Sequence, residues 1–388
     1  MLINPLLASV ETPPVALVQS WVKERDFPDG RPLLDLAQAA PGWPMAAPLV
    51  AHITEAIQKP ETARYAPILG EQPLRQALAD EMTALYGGTI QAENVAITSG
   101  CNQAYVAAIM ALAKEGDAVM LPTPWYFNHK MTLDMFGIKA IPLPCAADAG
   151  MLPDVAAAEK LITPRTRAIV LVTPNNPTGA IYPSSLIQQF VALAKAHNIK
   201  LIIDETYRDF IPAGGAPHDA FKADTWADTV IQLYSFSKAY AMPGLRVGAV
   251  TAGADVIGLV QKALDSIAIC ANGAGQAAAL YGIRSLGEWR NGKRQEMALR
   301  LAAFQQAMKP IANQFPIVSA GAFFAYCRHP FELSALEAAK RLADEGAIMA
   351  MPGSAFGPGQ EQMLRFAFGN LAPEAAAAIG ERLAALAR

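Results

Sequence analysis

From about residue 95 to residue 252, short apolar runs rich in Val, Ile and Leu alternate with longer segments of helical period. Strands whose residues are apolar in succession must be covered on both faces, and the intervening helices supply the cover. The runs are VAITSG (95–100), AVMLP (118–122), KAIPL (139–143), AIVLV (168–172), KLIID (200–204), VIQLYS (230–235) and VGAVTA (247–252). Between them, CNQAYVAAIMALA (101–113) repeats Tyr105, Ile109 and Leu112 at helical spacing, and DVAAAEKLI (154–162) and SSLIQQFVALAKAHN (184–198) are amphipathic. The last of these closes on Lys195, His197 and Asn198, residues suited to a helix C-terminus. Residues 46–270 read as one large α/β domain, a doubly wound, mostly parallel sheet.

After residue 270 the pattern turns mostly helical, with a long segment at 288–308, two strand-like pieces FFAYC (323–327) and LRFAF (364–368), and the helix SALEAAKRLADEG (334–346) between them. Residues 271–388 are expected to form a smaller α+β domain, which the segment 1–45 joins. No repeat of solenoid length is visible.

Composition limits the partners. A net charge of -3 gives no footprint for nucleic acid or an anionic membrane surface, and no run approaches the roughly 18 apolar residues of a membrane helix. The four cysteines (Cys101, Cys145, Cys270, Cys327) have no paired spacing, which suits a reducing compartment, and the five histidines show no metal-ligand spacing. Without a basic, apolar leader pattern at its start, the chain is expected to be cytoplasmic, with small molecules or copies of itself as partners and no bound metal.

The chemistry concentrates at strand ends. SFSKAY (235–240) with GLRVG (244–248) offers a nucleophilic amine, Lys238, beside the hydroxyls of Ser235 and Ser237 and the guanidinium of Arg246. A lone lysine after a strand is ordinarily a solvated charge; this set instead suits a phosphorylated aldehyde. TPNNPTG (173–179) by itself reads as a tight turn, and Asp204 in LIIDETY (201–207) by itself reads as a helix cap. All three lie at carboxyl ends of strands of one sheet, where open α/β folds bind ligands.

With these motifs in view, the chain resembles the class I/II aminotransferases of the aspartate-aminotransferase-like superfamily, fold type I, which depend on pyridoxal 5'-phosphate (PLP). The resemblance spans nearly the whole chain: DLAQAAPGWP (35–44), RYAPILG (64–70), TSGCNQA (98–104), NNPTG (175–179), DETY (204–207), SFSK (235–238), MPGSAFG (351–357) and RFAFGN (365–370) follow in the family's order. It implies that Lys238 bonds to the cofactor aldehyde as a Schiff base and then shuttles the substrate proton. Asp204 would keep the pyridine nitrogen protonated, supported by His129 of PWYFNH (124–129). Tyr126 would stack on the ring, and Asn176 and Tyr207 would hydrogen-bond its phenolic oxygen. Gly100, Cys101 and Asn102, opening a helix, would bind the phosphate with Ser235, Ser237 and Arg246, Cys101 serving as a small capping residue. Tyr65 would reach the phosphate of a neighbouring subunit, which implies a homodimer with shared active sites. Arg365 would grip the substrate α-carboxylate in a two-pronged ion pair.

Two departures bear on the substrates, an amino acid and a keto acid. Ala39 stands where many relatives have glycine, with Trp43 close by, a bulky aromatic that belongs either near the expected side-chain pocket or in the core. Residues 270–275 contain no arginine and SGCNQA (99–104) no lysine, where dicarboxylate-selective relatives place a second cation. An unpaired buried carboxylate is costly, so the expected donor is a neutral or aromatic amino acid, with pyruvate or 2-oxoglutarate as acceptor. LAQAAPGWP (36–44) also loosely resembles the kynurenine and glutamine transaminase branch. The alternative reaction is a β-lyase or synthase of the same fold; a more distant one is a non-catalytic PLP-binding regulator, against which the intact Lys238, Asp204 and Arg365 argue.

Overall fold

The computed structural model describes residues 3–212 and 214–387. At its centre lies a seven-stranded sheet in the order Val95–Thr98, Gly248–Thr251, Val230–Ser235, Lys200–Asp204, Thr166–Val172, Ala118–Thr123, Lys139–Pro144. Gly248–Thr251 runs antiparallel to both neighbours and the remaining pairs are parallel. Successive residues enter opposite cores, as pleating requires. Leu201 and Ile203 pack with Ile187 and Phe190 of the helix Ser184–Ala196. Ile202, between them, packs with Ile109 of Cys101–Leu112 and Val260 of Ala254–Ala268. Cover on both faces is why the strands other than the edge strand Lys139–Pro144 carry no polar alternation.

A second sheet is antiparallel and four-stranded, ordered Met351–Pro352, Met363–Phe366, Phe324–Arg328, Ile317–Gly321. The helices Gly287–Met308, Ala335–Gly346 and Ala376–Leu386 pack with it around Phe304, Phe323, Leu342 and Leu383. The N-terminal segment is stitched to these elements: Leu34–Asp35 pairs parallel with Ile348–Met349, and Leu36 and Trp43 belong to the same core. The helices Pro5–Ser9 and Pro14–Ser20 precede it. Register sets the site, because Val172 lies opposite Asp204, and Ser235 follows on the next strand, all at the carboxyl edge of the parallel strands.

Candidate active site

At that edge opens a cavity of about 500 Å³. Of the residues singled out by sequence, Ala39, Cys101, Asn102, Tyr126, Asn176, Asp204, Tyr207, Ser235, Ser237, Lys238, Arg246 and Arg365 line it. They come from regions more than three hundred residues apart, joined by the pairing of the N-terminal segment with C-terminal strands.

One end of the cavity is built for an anion. The helix Cys101–Leu112 begins there, so its first N–H groups face the cavity without intrahelical partners. Gly100, not Cys101, is the N-cap. It holds φ +88, and a Cβ on it would come within 2.2 Å of Arg246 Nη2, so only glycine lets the guanidinium lie against the helix entrance. Ser235 caps the short helix Phe236–Ala239 by accepting from Ser237 N at 3.3 Å, which fixes the turn carrying Lys238. Burial and the nearby Asp204 push the Cys101 thiol well above its usual pKa, so it stays protonated.

Lys238 sits in the middle. Burial, then Arg365 and Arg246, lower its pKa to about 8, so about a tenth is free amine at pH 7, far more than an ordinary lysine offers. Its Nζ donates to the carbonyl of Ala39. Asp204, buried at the floor, is fixed from two sides. Its Oδ1 accepts from Thr206 N at 3.0 Å and Thr206 Oγ1 at 2.7 Å, and its Oδ2 lies 3.3 Å from His129 Nε2. His129 does not line the cavity; it is stacked 4.0 Å from the Tyr105 ring and meets the edge of Tyr126 at 5.1 Å. Tyr126 Oη lies 3.4 Å from Asn102 Oδ1.

Opposite the anion cradle stands Arg365, 2% exposed. Its Nη1 donates to Asn176 Oδ1 at 2.9 Å and its Nη2 to Ala37 O, while Nε has no partner. No carboxylate pairs with this guanidinium among the described residues, and burial lowers its pKa to about 10. A buried cation in that condition is a receptor for an anionic ligand. Asn176, which accepts from Arg365, lines the cavity beside it and has an amide N–H2 left to donate. The turn that carries it is held by Asn175, whose Oδ1 accepts from Thr178 N at 3.1 Å and Thr178 Oγ1 at 2.8 Å. Tyr207 packs edge-on against Phe324 at 5.1 Å, and burial raises its phenol pKa.

Two sequence-chosen residues lie elsewhere. Trp43 is not at the pocket expected for it: its ring packs against Phe210 at 6.2 Å and Phe323 at 6.1 Å, under Arg300 at 4.8 Å, because the chain turns past Gly42 into the core of the smaller sheet. Tyr65 is 80% exposed and does not reach this cavity. Sequence reasoning passed over Thr206, although a hydroxyl two residues after a strand-end aspartate is a recognisable turn signal. It also passed over Pro13, Val15, Phe127 and Asn128, which line the cavity; Pro13 and Val15 lie in a segment with no periodic signal.

The donor set fits PLP: an anion cradle for the phosphate, a buried amine for the aldehyde and a fixed carboxylate for the ring nitrogen, beside an unpaired arginine.

The known proteins agree with this geometry. The model for aminotransferase class I and II matches residues 30–383. The chain is 26% identical to the aromatic aminotransferase ISS1 of Arabidopsis thaliana over 369 residues, covering 93% of this chain and 90% of that protein. It is 28% identical over 340 residues to the arginine–pyruvate transaminase AruH of Pseudomonas aeruginosa, covering 85% and 84%. Its fold superposes on the aspartate aminotransferase of Thermus thermophilus solved with maleate, at TM-score 0.91 and 22% identity over the full length of both chains. The chain belongs to the aminotransferase class I and II family and is a PLP-dependent transaminase.

Proposed function

We propose that this transaminase takes its amino group from neutral or aromatic amino acids. The observation that carries the reading is that, among the described residues, the cations this chain brings to the cavity are Lys238, Arg246 and Arg365. Lys238 is committed to the cofactor and Arg246 to the anion cradle, which leaves Arg365 for the α-carboxylate and nothing for a second one. Pro13, Val15 and Phe127 add an apolar wall. Relatives named for aromatic and arginine donors accord with a pocket that does not require a dicarboxylate.

PLP, when bound, supplies an electron-withdrawing ring that stabilises negative charge at the donor Cα. Asp204, held by Thr206 and His129, presents a fixed carboxylate to the ring nitrogen. Asn176 and Tyr207 would donate to the cofactor's phenolic oxygen, and Tyr126 would cover its ring. Gly100, Cys101 and Asn102 at the helix entrance would hold its phosphate with Ser235, Ser237 and Arg246. Arg365 would orient the donor through its carboxylate so that the Cα hydrogen faces Lys238, whose Nζ would take that proton as a general base and hold it for delivery to a second carbon.

The assembly we propose is a homodimer with shared sites, Tyr65 reaching the partner's phosphate; its 80% exposure on its own chain supports this. The division into 1–45, 46–270 and 271–388 draws support from the two sheets and from the pairing of Leu34–Asp35 with Ile348–Met349. A cytoplasmic location suits four cysteines that are all free, and no helix among the described residues is long and apolar enough to cross a membrane. Transaminase names among the relatives favour transamination over a lyase or synthase.

Comparing kcat/KM for aspartate with methionine, phenylalanine and alanine, with pyruvate or 2-oxoglutarate as acceptor, tests the donor class. Aspartate is expected to be the poorest of the four; a strong aspartate preference contradicts the assignment. Pyruvate and ammonia released from a cysteine conjugate without an acceptor would replace it with the lyase.

A further inference from the structure

Gln38, Ala39 and Ala40 line the cavity, and carbonyls of the segment 37–40 accept from both Arg365 and Lys238. Ala37 O accepts from Arg365 Nη2, and Ala39 O accepts from Lys238 Nζ. The upstream end of this strap is stitched by backbone hydrogen bonds, Leu36 N to Met349 O at 2.8 Å and Ala367 N to Leu36 O at 2.8 Å. Past Leu36 the backbone stitching stops. Among the described residues, the side chains outside the cavity that hydrogen-bond the main chain of residues 37–40 are Asp35, whose Oδ1 accepts from Ala37 N at 3.0 Å, and Asn370, which spans the rest. Its Nδ2 donates to Asp35 O at 3.1 Å and to Gln38 O, while its Oδ1 accepts from Ala40 N at 2.9 Å.

An amide suits this task because it offers donors on one side and an acceptor on the other, matching two carbonyls and one N–H. The turn presenting it is itself clamped. Arg300, 4% exposed, donates through Nη1 to Gly369 O at 2.9 Å and Leu371 O at 2.7 Å, on either side of Asn370. A Cβ on Gly42 would come within 2.4 Å of Asn370 O, so the downstream end of the strap lies directly against the same turn.

We propose that Asn370 is a positioning residue for the amino donor. Without lining the cavity, it sets the strap 37–40 and, through the carbonyl of Ala37, the aim of Arg365 on the donor carboxylate. The proposal rests on the transaminase reading of the same cavity, and its test separates the two.

Asn370→Ala removes all three hydrogen bonds, whereas Asn370→Asp, nearly the same shape, keeps the acceptor and turns a carboxylate on two carbonyls. Misplacement of this order costs about tenfold or more, and both variants are expected to raise KM for the amino donor by that factor while kcat and the Kd for PLP stay within about threefold. A second readout needs no turnover: calorimetric binding of hydrocinnamate, a monocarboxylate without an amine, to the cofactor-free chain is expected to weaken by a similar factor in both variants. Unchanged KM and hydrocinnamate affinity in a folded Asn370→Asp overturn the proposal. So does failure of the unsubstituted chain to bind hydrocinnamate, or a parallel fall of kcat, PLP affinity and melting temperature, which marks a purely structural residue. Absence of transamination by the unsubstituted chain, with the difference in hydrocinnamate affinity intact, would instead overturn the donor assignment and leave Asn370 in its role.

Discussion

Lys238, half-buried, and Arg365, buried, are cations without a carboxylate partner among the described residues, and each costs the fold stability. For Lys238 the sign can be worked out. Below about pH 8 the amine is charged in both folded and unfolded chains, and the folded state bears the full burial penalty. Between about 8 and the ordinary 10.5 only the unfolded chain holds the proton, so stability rises with pH across that window. Lys238→Met should therefore stabilise the cofactor-free chain at pH 7 by about 3 kcal/mol, an advantage that fades toward the upper end of the window; chemical denaturation at several pH values measures it. Arg365→Lys keeps the charge but loses the planar fork, and kcat/KM for any amino acid should fall roughly a hundredfold, mostly through KM. Residues whose chemistry is local, such as Lys238 after a strand and Asp204 at a strand end, were legible in the sequence. Asn370 was not, since its partners are main-chain atoms more than three hundred positions upstream and no spacing records them.

Among the elements, the 173–179 turn joins the site to the smaller sheet. Gly179 has φ +75, and a Cβ there would lie 2.3 Å from Gly321 N; a Cβ on Gly321 would lie 2.3 Å from Gly179 O. The two glycines let the turn carrying Asn176 meet the hairpin between Ile317–Gly321 and Phe324–Arg328. Gly179→Ala should destabilise the fold by about 2 kcal/mol and raise KM by moving Asn176 from Arg365, to be read by denaturant unfolding and steady-state kinetics. Six strands of the large sheet were readable because burial on both faces leaves an unbroken apolar signal, and the edge strand Lys139–Pro144, exposed on one face, because its residues after Lys139 are apolar all the same. The antiparallel direction of Gly248–Thr251 was not, because its residues are apolar whichever way it runs. Ile317–Gly321 went unread: its residues are mostly half-buried and short, with no strong period.

At the scale of the molecule, the cavity exists because the N-terminal segment crosses to the C-terminal strands and lays its main chain beside Lys238. Motif order carried this organisation, while the placement of Trp43 in the core depended on packing that a motif does not encode. If Tyr65 serves a partner's phosphate, sedimentation should find a dimer, and Tyr65→Phe should weaken PLP binding about tenfold without dissociating it; a monomer with full activity would contradict the shared site. The central claim is that Lys238 is the amine that bonds to PLP. Borohydride reduction of the PLP-loaded protein, followed by proteolysis and mass spectrometry, tests it directly. The account predicts one pyridoxyl phosphate adduct, on the peptide containing Lys238, lost together with the visible absorbance band in Lys238→Ala; an adduct on another lysine, or none with the visible band intact, would contradict it.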